Sequence, residues 1–217
     1  MKHLCYLLAI LAVFPAIAQE DSFFREDQIY LSVAYPYFTD PPTDLIQNKL
    51  SYSIAFGFIR DMPINNKRTL SLGFGSGWSM INIFNNNIFS VDNARIVSTT
   101  IQSDYQQNYL RMHNLAFPLE LRWRNTSPTK HAFWRIHTGL SLHIPLSFKS
   151  YFRSNNGNIT RVKLSDNRSF LRSNIHFGFN TWNITISQDL QPLATFNSLN
   201  GDFDMKFTKI GLIFYIF

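Results

Sequence analysis

The sequence predicts an all-β fold, an eight-stranded antiparallel up-and-down transmembrane β-barrel that follows a cleaved signal peptide. Three observations predict it. Segment after segment alternates large apolar residues with small or polar ones at period two, the period of a strand. The connections between those segments alternate between short and long. The composition pairs many aromatics (16 %, with 21 Phe) with few charges (16 %, against about 25 % in typical soluble domains). Beyond the N-terminus there is no run of about 18 uncharged apolar residues, and mean hydropathy is −0.10, which argues against helical spans. An alternating, lipid-facing β-structure accommodates all of this.

Residues 1–18 read as the signal peptide. Lys2 and His3 form a basic start, Leu4 to Phe14 an apolar segment, and Pro15-Ala16-Ile17-Ala18 a break with small residues for cleavage before Gln19. The apolar run is too short for a membrane anchor. Cys5, the single cysteine, sits inside that run, so a cleaved chain has neither disulfide nor thiol chemistry. Residues 19–27 are expected to be a polar periplasmic leader and 28–217 the barrel. The net charge of +6 is scattered, without a basic stripe or a nucleic-acid motif, so no nucleic-acid partner is expected.

The first strand, Gln28 to Phe38, puts Ile29, Leu31, Val33, Tyr35 and Tyr37 on one face and stops at Pro41-Pro42, which cannot donate to a ladder. The second alternates Leu50, Tyr52, Ile54, Phe56 and Phe58 with Ser51, Ser53, Ala55 and Gly57, then turns at 61–67. The third sets Leu70, Leu72, Phe74, Trp78 and Met80 against Ser71, Gly73, Gly75, Gly77 and Ser79. Glycine weakens a strand, so three at alternate positions indicate a crowded barrel interior. Residues 82–106 read as a long polar loop with possible strand extensions beyond the membrane. The fourth strand, about 109–124, shows Leu115, Phe117, Leu119, Leu121 and Trp123 outward, and slips phase around Met112–Asn114, which suggests a bulge there. The fifth alternates Trp134, Ile136, Leu140, Leu142, Ile144, Leu146 and Phe148 with Arg135, His137, Gly139, Ser141, His143, Ser147 and Lys149. A second polar loop, 150–168, leads to a sixth strand with Leu171, Ile175, Phe177 and Phe179 outward. After a tight turn the seventh shows Trp182, Ile184, Ile186 and Leu190, and a third polar loop covers 192–204.

The last strand, Met205 to Phe217, ends on an aromatic residue. Phe217, Tyr215, Ile213 and Gly211 share a face with Lys209 and Phe207, and this pattern resembles the C-terminal strand of bacterial outer-membrane barrels. The resemblance implies a signal for the barrel-insertion machinery at Gly211, Ile213, Tyr215 and Phe217. Ile210, Leu212, Phe214 and Ile216 make the opposite face apolar as well, so the lumen beside this strand is expected to be a dry core, with the polar cluster higher, around Lys206.

The non-lipid face collects Glu120, Arg122, Arg124, Arg135, His137, His143, Arg172, His176, Asp189 and Lys206. Small barrels fill their interiors, and buried charges have to be paired. A structural plug with Glu120 and Asp189 neutralised by arginines is the plain reading, and a ligand-facing lumen the sharper one. Catalysis needs a nucleophile and a base within hydrogen-bond reach. Ser141, His143 and Ser147 share a face but, at about 7 and 13 Å along a strand, are expected to be too far apart. No HExxH, GxSxG or Walker motif occurs and the histidines do not cluster, so no cofactor and no metal are expected. Trp78, Trp123, Trp134 and Trp182 fall mostly near strand ends, as interface aromatics do.

The segment Leu115-Ala116-Phe117-Pro118-Leu119-Glu120-Leu121-Arg122-Trp123-Arg124, with the signal peptide and the aromatic terminus, resembles the PorT-like small outer-membrane β-barrel proteins of Bacteroidota. The resemblance implies outer-membrane localisation and a non-enzymatic envelope scaffold or interaction role. It implies outer-membrane lipid and envelope or secretion proteins as partners, type IX secretion being the namesake's setting. A narrow solute channel and a lipid-modifying enzyme are the alternatives.

Overall fold

Eight long strands form the wall. In this computed structural model, residues 27–93, 95–125, 133–164, 168–198 and 201–216 are described. The expected signal peptide, nearly all of the leader, and Phe217 lie outside them. The strands run β1 (Asp27–Phe38), β2 (Tyr52–Pro63), β3 (Leu70–Phe84), β4 (Asn87–Asp92), β5 (Arg95–Thr100), β6 (Tyr105–Arg124), β7 (Trp134–Ser154), β8 (Ile159–Lys163), β9 (Phe170–Phe179), β10 (Trp182–Asp189), β11 (Ala194–Ser198), β12 (Gly201–Met205) and β13 (Phe207–Ile216). The wall follows the order β6-β3-β2-β1-β13-β10-β9-β7, and β6 pairs back with β7 to close it. Every wall pairing is antiparallel. Closure removes the free edges that a lipid-embedded sheet could not satisfy.

The period-two alternation becomes an outward apolar belt. Leu115, Phe117, Leu119, Leu121 and Trp123 of β6 are exposed, as are Trp134, Ile136, Leu140, Leu142, Ile144 and Leu146 of β7. At about 3.3 Å per residue and a tilt near 40°, such runs rise roughly 20–30 Å, the height of a lipid-facing band. The short-turn rim carries the start of β1, the end of β13 and the tight connections. The loop rim carries the long ones.

Beyond Leu115 and Leu146 the polarity of the wall turns over. His113, Arg111 and Tyr109 of β6 face outward, while Met112 and Leu110 point in and are buried. The phase slip expected on β6 is therefore absent: its alternation is continuous, and the surroundings exchange instead. The bulge lies on the partner strand. Asn114 pairs with Pro145 but His113 with Ser147, which leaves Leu146 as the extra residue. That bulge corrects the fifth strand, because past it Phe148 is buried and Lys149 exposed, the reverse of the sequence reading.

The long polar loops fold as well. β4, β5, β11 and β12 form a second sheet in the order β12-β11-β5-β4, in which β5 and β11 run parallel, and β8 forms a hairpin with the upper half of β7. Apolar residues of this sheet, Phe89, Ile96, Phe196, Phe203 and Met205, pack with Ile81, Ile83, Leu110, Met112, Phe148 and Phe207 of the wall. The rings of Phe89 and Phe196 lie 4.8 Å apart. Above the membrane the protein is thus an ordinary β-structure, apolar inside and polar outside, and its core caps the mouth of the barrel.

Candidate functional site

The polar side chains of the lumen gather at the short-turn end. Arg122, at the end of β6, reaches Asp61 Oδ1 at 3.3 Å and Glu120 Oε2 at 3.3 Å. It also donates through Nη2 to Gln28 Oε1 at 2.7 Å. Arg124 Nη1 takes the second Asp61 oxygen at 3.1 Å, and Ser71 donates to Asp61 Oδ1 at 2.8 Å. His176 Nε2 lies 3.4 Å from Glu120 Oε1, with its other ring nitrogen 2.9 Å from Thr185 Oγ1. The Tyr215 ring lies beneath the guanidinium of Arg122 at 5.0 Å and that of Arg135 at 5.6 Å, and its hydroxyl is 3.3 Å from His137 Nδ1. Arg122, Arg135, Glu120 and Asp61 are all nearly inaccessible. Buried charges persist when paired and hydrogen-bonded, as Arg122, Asp61 and Glu120 are here.

Glycines make the room. A Cβ at Gly73 would stand 2.6 Å from Arg122 Cδ, and one at Gly77 2.2 Å from the Tyr30 hydroxyl. The small-residue face of β3 is the floor on which these two large side chains lie.

Midway up, small liners such as Ser32, Ala34, Ala55, Ser79 and Ala116 leave a cavity of about 70 Å³, room for a few waters. Arg172 enters it from β9, held through Nε by Asp189 Oδ1 at 2.6 Å. Asp189 Oδ2 accepts from the Phe207 backbone N–H at 2.9 Å, which ties this pair to the loop-end start of β13. Lys209, His143 and Ser141 also line it, and Glu120 and His176 border it from the turn-end network.

Glu120, Arg122, His137 and His176 thus form one group with Arg135 beside it, and Arg172 with Asp189 a second, higher one that His143 borders. Glu120 pairs with Arg122 and Asp189 with Arg172, and the Asp189 pair sits apart from the main network. The height of that network is corrected. It occupies the turn end, against Tyr215, and the dry core occupies the loop end. Lys206, between β12 and β13, belongs to the loop end.

The faces of the last strand are corrected too. Tyr215, Ile213, Lys209 and Phe207 are buried in the lumen, while Ile210, Leu212 and Ile216 are exposed to lipid. Gly211 takes the wall position at which a Cβ would press on Ala34. Trp123, Trp134 and Trp182 stand exposed at the short-turn rim. Trp78 faces outward opposite Leu115, at the top of the β6 apolar run, with its ring 5.4 Å from that of His113.

Sequence reasoning missed Asp61, Gln28, Tyr30 and Lys209. Asp61 was legible in principle, since it continues the face of Ala55, Gly57 and Ile59 one step further. The expected separation of Ser141 from His143 is also wrong: Ser141 Oγ and His143 Nε2 are 3.1 Å apart, because the imidazole folds back along the strand. The serine hydroxyl also accepts from Asn174 Nδ2 at 2.8 Å. Among the described residues His143 Nδ1 has no hydrogen-bond partner, so no acid orients the ring, and both residues are buried in the closed lumen. Among the described residues no three His, Cys, Asp or Glu side chains gather to hold a metal ion.

Comparison with known proteins gives one strong result. The family model described as "Outer membrane protein beta-barrel domain" matches residues 17–210. No curated protein matches. Among solved structures, Ail, the attachment invasion locus protein of Yersinia pestis, in complex with the heparin analogue sucrose octasulfate, is similar at 12 % identity and a TM-score of 0.32. That likeness covers 88 % of this chain and 100 % of that one, and at this level it says nothing of activity or partner.

Proposed function

The chain belongs to the outer membrane protein β-barrel domain family, and from that premise we propose that it is a non-enzymatic, non-conducting scaffold whose folded cap docks other envelope proteins. The observation that carries this reading is the double closure of the lumen. The Asp61–Glu120–Arg122–Arg124 network fills the turn end, and the Phe89–Phe196–Phe203 core fills the loop end. A solute would have to break both. With short turns on the periplasmic side and long connections outside, as is usual for such barrels, the cap is the surface turned away from the cell. The segment from Leu115 to Arg124, through its PorT-like pattern, makes the type IX secretion apparatus the first partner class to test.

The experiment is photo-crosslinking in intact outer membranes from the exposed cap positions Val91 and Asp202. Adducts with envelope proteins are expected from these sites and not from belt positions such as Leu119. Adducts with secretion components support the narrower role, and an absence of cap adducts would sink the docking role. The channel reading rests on the polar mid-lumen cavity and predicts unitary currents in planar bilayers, where the sealed barrel predicts none. The lipid-modifying reading rests on the Ser141–His143 contact and predicts turnover of phospholipid that Ser141→Ala abolishes.

A further inference from the structure

At the level where wall polarity turns over, the outer surface carries a row of cations. Lys149 of β7 lies directly opposite Arg111 of β6 on one side and Lys163 of β8 on the other. One register step higher, Tyr151 is flanked by Tyr109 and Arg161 in the same way, and Arg153 follows. Residues paired directly across strands share a face, so these side chains form one outward patch. Lys149, Arg153, Arg161 and Lys163 are exposed and Arg111 half-buried. Like charges placed directly opposite one another destabilise a sheet. Here the same sign stands on three adjacent strands. Among the described residues none of the five cations forms an ion pair with a carboxylate. Arg111 instead donates to Asn82 Oδ1 at 3.0 Å and sits over the Tyr109 ring at 4.8 Å.

The position of the row selects its occupant. Below it, past the outward pair His113 and Ser147, are Leu115 and Leu146, the last apolar residues of the belt on their strands. Directly above it, Tyr109 and Tyr151 stack at 4.6 Å with their planes 13° apart, and Arg161 lies 5.5 Å from the Tyr151 ring. Outward aromatic rings of this kind mark the headgroup level of a membrane. The cations therefore point sideways off the wall, at the depth of lipid headgroups. We propose that Arg111, Lys149 and Lys163, backed by Arg161 and Arg153, bind the phosphate groups of an anionic lipid in the loop-side leaflet. The phosphate takes the charge that the sheet leaves unmatched, and the acyl chains run down the apolar belt below. The bulge at Leu146 creates this site, since without the change of parity Lys149 would point into the lumen.

The test is native mass spectrometry of the full chain, folded in detergent and supplied with diphosphorylated lipid A, with phosphatidylcholine, or with inorganic phosphate. Lipid A adducts are expected to survive at collision energies that strip phosphatidylcholine, and inorganic phosphate alone is expected not to be retained. Lys149→Gln with Lys163→Gln should weaken lipid A retention by about fivefold per cation removed, whereas Lys149→Arg with Lys163→Arg should retain it. Lys163→Gln alone is the safeguard against misfolding, because β8 is an edge strand outside the closed wall. Equal retention of phosphatidylcholine, undiminished lipid A binding by the glutamine variants, or equally tight binding of inorganic phosphate would each overturn the proposal.

Discussion

Arg122 holds two carboxylates at once, Asp61 and Glu120, in a space that glycine provides. Removing one side of a buried pair leaves an uncompensated charge, so Arg122→Ala should cost about 3–5 kcal/mol, read as a lower urea midpoint for unfolding from lipid vesicles. Exchanging the whole network for neutral groups of similar volume, as Arg122→Met and Arg124→Met with Asp61→Asn and Glu120→Gln, should restore most of that loss, because the buried charges rather than the packing create the penalty. Gly73→Leu probes the floor beneath the network. Its Cβ would meet Arg122 at 2.6 Å, and overpacking of this kind costs about 1–3 kcal/mol. The same midpoint measurement should show that loss. It should shrink when Arg122 is also shortened, since the two side chains compete for one volume.

The cap sheet is built from elements that the wall does not need. Phe196→Ala should remove about 3–5 kcal/mol of packing, but only locally. Hydrogen exchange should accelerate at β4, β5, β11 and β12, while the amides of β2 and β3 keep their protection. These elements were the least legible in the sequence. Asn85, Asn87 and Asn108 look like loop residues, yet all three are buried, and Asn108 Nδ2 donates to the backbone carbonyls of Asn85 at 2.9 Å and Asn87 at 2.7 Å. The belt was the most legible part, because lipid demands an apolar side chain at every second position and small or polar partners between. β13 defeats that logic. Ile210, Leu212 and Ile216 face lipid, while Phe207, Ile213 and Tyr215 face the lumen, so hydrophobicity does not distinguish its sides. What orients it is a set of lumen partners contributed by other strands, Arg122, Arg135 and His137 around Tyr215. The candidate network was legible as a list of residues but not as a place, since its height depends on a register that no single strand encodes.

As a whole the molecule joins two β-structures of opposite polarity, apolar outside within the membrane and apolar inside above it. Boiled and unboiled samples should run at different gel mobilities, because the closed wall resists detergent at room temperature, and loss of the cap should leave that shift intact. The parallel pairing of β5 with β11 brings Phe196 beside Ile96, across the five intervening strands β6 to β10. Contacts so distant along the chain form late, since much of the chain has to be ordered before they can close. Pulse-labelled exchange during refolding should therefore find the β2–β3 hairpin protected first and the β5–β11 amides last. During assembly the mouth stays open while the wall zips together, which gives trapped water and misplaced side chains a way out. The cap records completion: it shuts only on a barrel that has already been finished.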